Sequence, residues 1–401
     1  MREFDVGIVG AGLAGSISAT ILARAGHRVA IIDPNDTYPD EFRCEKLDFD
    51  QIGILRKAGI GDAVLAVATP DRSVWVSRLG HVVEKRASDQ LGIDYGTLVN
   101  TLRAEFPQGV TFIRGKVTAV ANSPDRQTIT LASGESISVR LVLMASGLSN
   151  SLRQSLDMAR NDLSVCHSIS FGFDVERAAG DVFPFRALTH FGEHPRSRIS
   201  YLTLFPIGSR MRANLFLYRP LDDPWLREFR ASPEALLKTE MPRLEALAGS
   251  LRILGPVKMR PIDLYATSNY RQPGIVLLGD AFGTACPAAG TGAQKAVIDV
   301  DRLCNEYVSR WLATPGMGVE KIASYYDDPV KVASDKRSLA RAYRARLMAT
   351  DRSLFWWAAR WASVGLGLAR WARHGVHDAW YRVRHLFDAS PASARSPEPR
   401  A

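Results

Sequence analysis

The stretch VGIVGAGLAGSISATILARAGHRVAIID (residues 6–33) decides the fold. It reads as strand, glycine turn, helix, strand, and it ends in an acid. Gly10, Gly12 and Gly15 form G-x-G-x-x-G, and Asp33 closes the second strand 23 residues after Gly10. Gly10 permits the tight turn out of the first strand. Gly12 lets the backbone approach a pyrophosphate, and Gly15 lets the helix pack on the strand. Free N–H groups and the dipole at the helix start favour an anion there. Asp33 can accept hydrogen bonds from ribose hydroxyls. Dinucleotide binding is the expectation; the alternative is a glycine turn that only links strand to helix.

The chain has 401 residues, long enough for two domains. Its 46% apolar and 23% charged residues are ordinary for a globular protein. The net charge of +9 is concentrated late. Eleven Lys and Arg fall between Lys336 and Arg384, with Asp335 beside that stretch and Asp351 and Asp378 within it. No nucleic-acid module accompanies them, so no nucleic-acid partner is expected. Cys44, Cys166, Cys286 and Cys304 are scattered, without a C-x-x-C or a Cys/His cluster. Neither disulfides nor a metal site is indicated. With no signal-peptide pattern at the start, a cytoplasmic setting is expected.

Residues 48–60 and 93–106 read as helices, and 72–86 as strands. Residues 110–147 read as a meander closing on a buried strand at Leu141–Ala145. From 163 to 270 short alternating runs such as HSISFGFDV and MRANLFLYRP indicate an antiparallel sheet, interrupted by a helix over 232–249. Residues 274–280, GIVLLGD, return to a buried strand, and a helix follows over about 290–312. The remainder to 388 reads as helical and basic, and the proline-rich end, 389–401, as disordered.

The segment GIVLLGDAFGTACPAAGTGAQKAVIDVDRL (274–303) is a second nucleotide motif. A buried strand ends in Gly279-Asp280, and a loop with Pro287, Gly290 and Gly292 leads into a helix. An acid at a strand end can hold ribityl hydroxyls, and the helix start can face the electron-rich edge of a flavin. An ordinary strand–turn–helix is the alternative. Together the two motifs resemble the FAD-dependent monooxygenases of the para-hydroxybenzoate hydroxylase type, the class A flavoprotein hydroxylases. The resemblance covers about residues 1–315, matching the glycine motif in full and Gly279, Asp280, Ala281, Pro287, Gly290, Gly292 and Asp299 of the second.

That resemblance implies an α/β fold. A glutathione-reductase-like, Rossmann-type FAD-binding domain would be built from residues 1–70, 91–162 and 271–315. An inserted antiparallel sheet domain for substrate would take 71–90 and 163–270, and a helical C-terminus 316–388. It implies non-covalent FAD. Gly10, Gly12 and Gly15, with Leu13 and Ala14 at the helix start, would contact the pyrophosphate, and Asp33 the adenosine ribose. Arg43 would lie near the phosphates and ribityl chain, with a surface-loop position as the alternative. Gly279 and Asp280 would bind the ribityl chain, and Pro287, Gly290, Thr291 and Gly292 would line the isoalloxazine.

Two departures concern electron supply. The family's central A-D-G-x-x-S-x-x-R is here Ala145-Ser146-Gly147-Leu148-Ser149-Asn150-Ser151-Leu152-Arg153, with serine for the aspartate. Phe282-Gly283 replace the usual Ala-His after Gly279-Asp280-Ala281. Slow direct reduction by NADPH or NADH, with a partner reductase or free reduced flavin as donor, is one expectation. The other is that Arg153 or Arg43 contacts the nicotinamide nucleotide.

Flavin chemistry belongs to the cofactor. Reduced flavin and O₂ give a C4a-hydroperoxide, which a dry pocket protects. The expected activity is hydroxylation of a hydrophobic or aromatic compound. Phe171, Phe173, Phe183, Phe185, Phe191, Tyr201, Phe205, Phe216 and Tyr218 are candidates for the pocket roof, and His167, His190 and His194 are the imidazoles of the region. Reduction of prenyl or other alkene bonds is the alternative, and a membrane-docked flavoprotein working with a partner is a third. A halogenase is disfavoured because W-x-W-x-I-P is absent. The run SLFWWAARWASVGLGLARW (353–371) fits either a helical cap or a helix resting on an anionic membrane.

Overall fold

The computed structural model describes the backbone of residues 1–388 and the side chains through residue 373. The expected disordered tail, 389–401, lies outside the described residues.

The hydrophobic runs of the first 33 residues pair at once. Arg2–Val9, Val29–Asp33, Val110–Arg114 and Ser136–Met144 form the parallel part of a seven-stranded sheet. The far edge of Ser136–Met144 is shared. The meander strand Gln127–Leu131 covers its first half and Ile275–Leu277 its second. Register then fixes the site: Val9 lies beside Met144, and Met144 beside Leu277. The chain therefore leaves three strands at one edge, through Gly10, Ala145 and Leu278, at the carboxyl ends where α/β sheets bind ligands. One face of the sheet buries Val6, Ile8, Ile31, Leu141 and Leu143 against Ile17, Leu22, Val297 and Val300 of the flanking helices Leu13–Arg24 and Gly292–Arg302.

A second seven-stranded sheet runs in the order Leu251–Thr267, Arg160–Arg177, Arg210–Leu217, Ile199–Ile207, Ala187–Phe191, Ser73–Arg78, His81–Ala87. Its neighbours are antiparallel except Ala187–Phe191 with Ser73–Arg78. Strand alternation divides its residues. Ile169, Phe171, Phe173, Leu202, Leu204 and Leu215 pack beneath helices that contribute Trp225, Phe229, Leu236 and Leu244. Ser170, Thr203, Asn214 and Phe216 face the edge of the first sheet.

Three helical expectations change. The helix expected over 232–249 is two, Pro233–Glu240 and Pro242–Ala248, because Pro242 has no N–H to donate and crowds the preceding turn. An additional helix, Pro224–Ala231, starts where Asp223 accepts a hydrogen bond from the Trp225 N–H at 3.0 Å. The helix expected over 290–312 runs as Gly292–Arg302, then a π turn at Leu303–Val308, then Ser309–Leu312.

The C-terminal helix Pro329–Thr350 is held by buried charge. Asp299 accepts from Lys295 Nζ at 3.2 Å and Lys331 Nζ at 3.3 Å, and Asp335 lies 2.9 Å from Lys331 Nζ. Burial opposes the Lys295 charge, and Asp299 and Asp335 outweigh it. Helix Leu354–Asp388 packs on strand His81–Ala87, where a Cβ on Gly367 would lie 2.9 Å from Val83. Its outer face leaves Leu354, Phe355, Trp357, Trp361 and Leu366 exposed. Among the described residues no helix is long and apolar enough to cross a membrane.

Candidate active site

A cavity of about 750 Å³ opens at the shared strand edge and extends beneath the second sheet. Gly10, Gly12, Leu13, Ala14, Asp33, Arg43, Gly279, Asp280, Pro287, Gly290 and Gly292 line it. Gly15 and Thr291 stand behind the wall. A Cβ on Gly15 would lie 1.9 Å from the Gly10 carbonyl oxygen, so this glycine serves helix–strand packing. The Thr291 hydroxyl pairs with Ser338 Oγ at 2.7 Å.

The first glycine turn carries no side chain over its backbone. Gly10 has φ +99°, which favours glycine, and at Gly12 a Cβ would meet nothing closer than Tyr95 Oη at 3.8 Å. Gly12 gives helix Leu13–Arg24 no side-chain cap; the Leu13 N–H meets Tyr95 Oη at 3.4 Å, and the Gly12 and Ala14 N–H groups remain for an anion. Asp33 accepts from the Ala11 N–H at 2.8 Å and the Asn35 N–H at 3.0 Å, and Arg103 Nη2 lies 3.2 Å away. Arg103 Nε also donates to the Ala11 carbonyl at 2.8 Å. Sequence reasoning missed Arg103, on helix Tyr95–Ala104; its one trace there is an arginine beside the buried run Leu98, Val99, Leu102.

Arg43 is a cavity residue rather than a surface one. Its Nη1 donates to Asp280 Oδ2 at 3.4 Å and its Nε to Glu41. Burial works against its charge, but Tyr95, Tyr38, Glu41 and Asp280 outweigh it. Behind Asp280, Tyr265 Oη donates to the Asp280 carbonyl at 2.6 Å, and Arg153 Nη1 to the Ala281 carbonyl at 2.6 Å. Arg153 is fully buried and absent from the cavity wall, where it props the second motif from behind. Ser146 does reach the wall, and its buried hydroxyl has no hydrogen-bond partner.

The roof differs from the aromatic one expected. Of the nine aromatic candidates only Tyr201 and Phe216 line the cavity. Phe171 and Phe173 belong to the opposite face, under the helices, because neighbouring positions of a strand point to opposite sides, and Phe183 and Phe185, in the loop before Ala187–Phe191, pack into the same cluster. Phe191 borders a different cavity, Phe205 packs under Lys46, and Tyr218 lies against His167. The roof is Ser170, Thr189, Thr203 and Asn214 with Tyr201, Phe216 and Ile262. His167 and His190 each have both ring nitrogens paired, and His194 borders the other cavity.

Two titratable neighbours at the wall were not foreseen. Burial pushes Glu45 up to about 7, against the pull of Arg212 at 3.0 Å and of Asn214. Burial draws Lys46 down to about 8, against Asp71 at 3.6 Å. Glu45 Oε2, Asn214 Oδ1 and Ser170 Oγ are buried without a hydrogen-bond partner.

Residues 3–309 match the FAD binding domain family, and the chain belongs to that family. It is an FAD-dependent monooxygenase of the flavoprotein hydroxylase type, and so uses O₂ and a small-molecule substrate. It is 26% identical over 326 residues to 3-demethoxyubiquinol 3-hydroxylase of Escherichia coli K12, covering 76% of this chain and 80% of that protein. Over 318 residues it is 24% identical to squalene monooxygenase of Mus musculus, covering 74% of this chain and 53% of the mouse protein. Its fold superposes on p-nitrophenol 4-monooxygenase of Pseudomonas putida DLL-E4 with a TM-score of 0.74 at 15% identity, covering 94% and 98% of the two chains.

Proposed function

We propose that this monooxygenase hydroxylates a largely apolar or aromatic compound that carries an O–H or N–H group. The unpartnered Glu45 Oε2 and Asn214 Oδ1 carry that reading. Buried polar atoms are normally hydrogen-bonded; the Asn214 amide oxygen accepts at every pH and the Glu45 carboxylate accepts when ionised, so the ligand they await is a donor. Tyr201, Phe216 and Ile262 would hold its apolar body. Glu45, neutral below about pH 7, can hold or accept a proton at the substrate.

Bare Gly12, the uncapped helix start and the unpartnered Ser146 hydroxyl fit a dinucleotide. The backbone of Gly10, Gly12, Leu13 and Ala14 would hold the FAD pyrophosphate, with Gly15 as the packing glycine behind it. Asp33, oriented by Arg103, would hold the adenosine ribose. Arg43, Gly279 and Asp280 would hold the ribityl chain, and Pro287, Gly290, Thr291 and Gly292 the flavin edge. The chemistry that bound FAD supplies is activation of O₂ by reduced flavin for insertion of one oxygen atom. The two sheets support a division into a nucleotide unit (1–70, 91–162, 271–315), a substrate unit (71–90, 163–270) and a helical cover (316–388).

Electrons would come from NADPH or NADH, slowly, or from a partner reductase; the serine at 146 supports the partner. The exposed Trp357 and Trp361, on the helix that follows Arg352, support contact with an anionic membrane surface. Anaerobic stopped-flow with NADH and NADPH, with and without phenolic and anilinic substrates, followed by admission of oxygen, tests the function. Substrate-coupled oxygen uptake and a hydroxylated product are expected. Anaerobic saturation of an alkene, without oxygen uptake, would replace this reading with that of a reductase.

A further inference from the structure

Behind the roof lies a second cavity, of about 350 Å³. It sits between the strand ends at Arg78 and Phe191 and the C-terminal helices that contribute Arg344, Met348 and Arg360. Tyr201 belongs to the walls of both cavities. Its hydroxyl donates to the Ala288 carbonyl at 3.0 Å, and its ring packs between Phe191 and Phe216, with centroids 5.5 and 4.8 Å away.

The lining combines an apolar interior with clustered positive charge. Leu79, Ile199, Ala345 and Met348 supply the apolar surface. Arg78, Arg341, Arg344 and Arg360 supply four cations, and among the described residues no Asp or Glu lines the cavity, the Glu84 carboxylate acting on Arg78 from outside it. Arg360 is committed to the protein, its Nη1 donating to the Met348 carbonyl at 3.0 Å and the Asp351 carbonyl at 2.9 Å. Arg78 is not. Its guanidinium lies 3.7 Å above the Phe191 ring, and its buried Nε has no hydrogen-bond partner. Stacking fixes the plane of the group and leaves its edge for an acceptor. Like charges gathered on an apolar surface repel each other and are costly unless something neutralises them.

We propose that this second cavity binds an amphiphilic anion, a carboxylate or phosphate monoester on an apolar body. Arg78 and Arg344 hold the head, and the body lies against Tyr201 and Met348. The site stands apart from the monooxygenase reading and does not rest on it.

Calorimetric titration of the FAD-loaded chain with octyl phosphate, octanoate, octanol and inorganic phosphate tests the site. One equivalent of octyl phosphate or octanoate binds, and octanol and inorganic phosphate bind at least about tenfold more weakly. Arg344→Gln, at an exposed helix position, weakens octyl phosphate about tenfold, and so does Arg78→Lys, which keeps charge but loses the planar fork. Flavin content and oxygen uptake stay at wild-type values in both, which separates this test from that of the function. Equal affinity for octanol, equal affinity for inorganic phosphate, or unchanged binding in the Arg78→Gln/Arg344→Gln double variant would each overturn the proposal. Sedimentation with phosphatidylglycerol vesicles identifies the source of the head: loss of vesicle binding in the double variant assigns it to a lipid. Vesicle binding retained while octyl phosphate binding is lost assigns it to a free amphiphile.

Discussion

Arg43 Nη1 donates to Asp280 Oδ2 across 3.4 Å although 237 residues separate them. The pair joins the loop after the second strand to the turn after Ile275–Leu277, at the middle of the cavity. Both side chains keep partial access to solvent, so the pair contributes at most about 1 kcal/mol to stability. Its consequence is positional: each group fixes the other where a ligand's hydroxyls and phosphates would lie.

Asp280→Ala lowers FAD affinity by about ten- to a hundredfold, the loss of a charged hydrogen-bond acceptor. Fluorescence titration of the deflavinated protein measures it. Unchanged flavin content and turnover would show that the second motif is misassigned.

Gly12→Val and Gly15→Val separate binding from folding. Space at Gly12 is open, so its valine variant folds, with a wild-type far-ultraviolet spectrum, but stays colourless. At Gly15 the Gly10 carbonyl stands in the way, and the variant loses thermal stability as well as flavin. A yellow Gly12→Val protein would contradict the pyrophosphate assignment.

Ser146→Asp places a carboxylate on the wall where an unpartnered hydroxyl now sits. A charge-assisted hydrogen bond is worth about 1.5–3 kcal/mol, so flavin reduction by NADPH should quicken by roughly ten- to a hundredfold. Anaerobic stopped-flow reads the rate. Fast bleaching of the wild-type flavin by NADPH, matching turnover, would remove the case for a partner reductase.

Glu45→Gln changes how stability depends on pH. Burial raises the folded carboxyl from 4.5 to about 7, so the fold favours the neutral acid. Wild-type stability therefore falls, relative to the variant, as pH rises from 4.5 to 7, by up to about 3 kcal/mol, and is flat above. Urea titrations of both proteins across that range check the slope. Parallel curves would mean that Glu45 is ionised in the fold.

Asp299→Asn leaves Lys295 and Lys331 sharing the single carboxylate of Asp335, so that one buried cation loses its counter-charge. Breaking such a cluster costs about 3–5 kcal/mol, which lowers the thermal midpoint by several degrees. A midpoint within one degree of wild type would show that the C-terminal helix docks without this charge.

The sequence by itself determined both nucleotide motifs, the succession of parallel and antiparallel segments and the family, because these depend on local quantities. Glycine at 10 relieves a positive φ, glycine at 15 a contact within one β-α unit, and apolar periodicity is written into consecutive residues. Breaks such as Met241-Pro242 and the start at Asp223-Pro224 were equally local and could have been read from their prolines. Tertiary structure alone decided which side of the second sheet faces the cavity. Alternation distinguishes Ser170 from Phe171 but is symmetric, and only the helices packed over Phe171 settle the side. It likewise decided that Arg103 holds Asp33, that Arg153 is a buried prop, that Glu45 meets Arg212 and that Arg43 meets Asp280. Those pairings arise from strand register and chain closure over long separations, which no local pattern encodes.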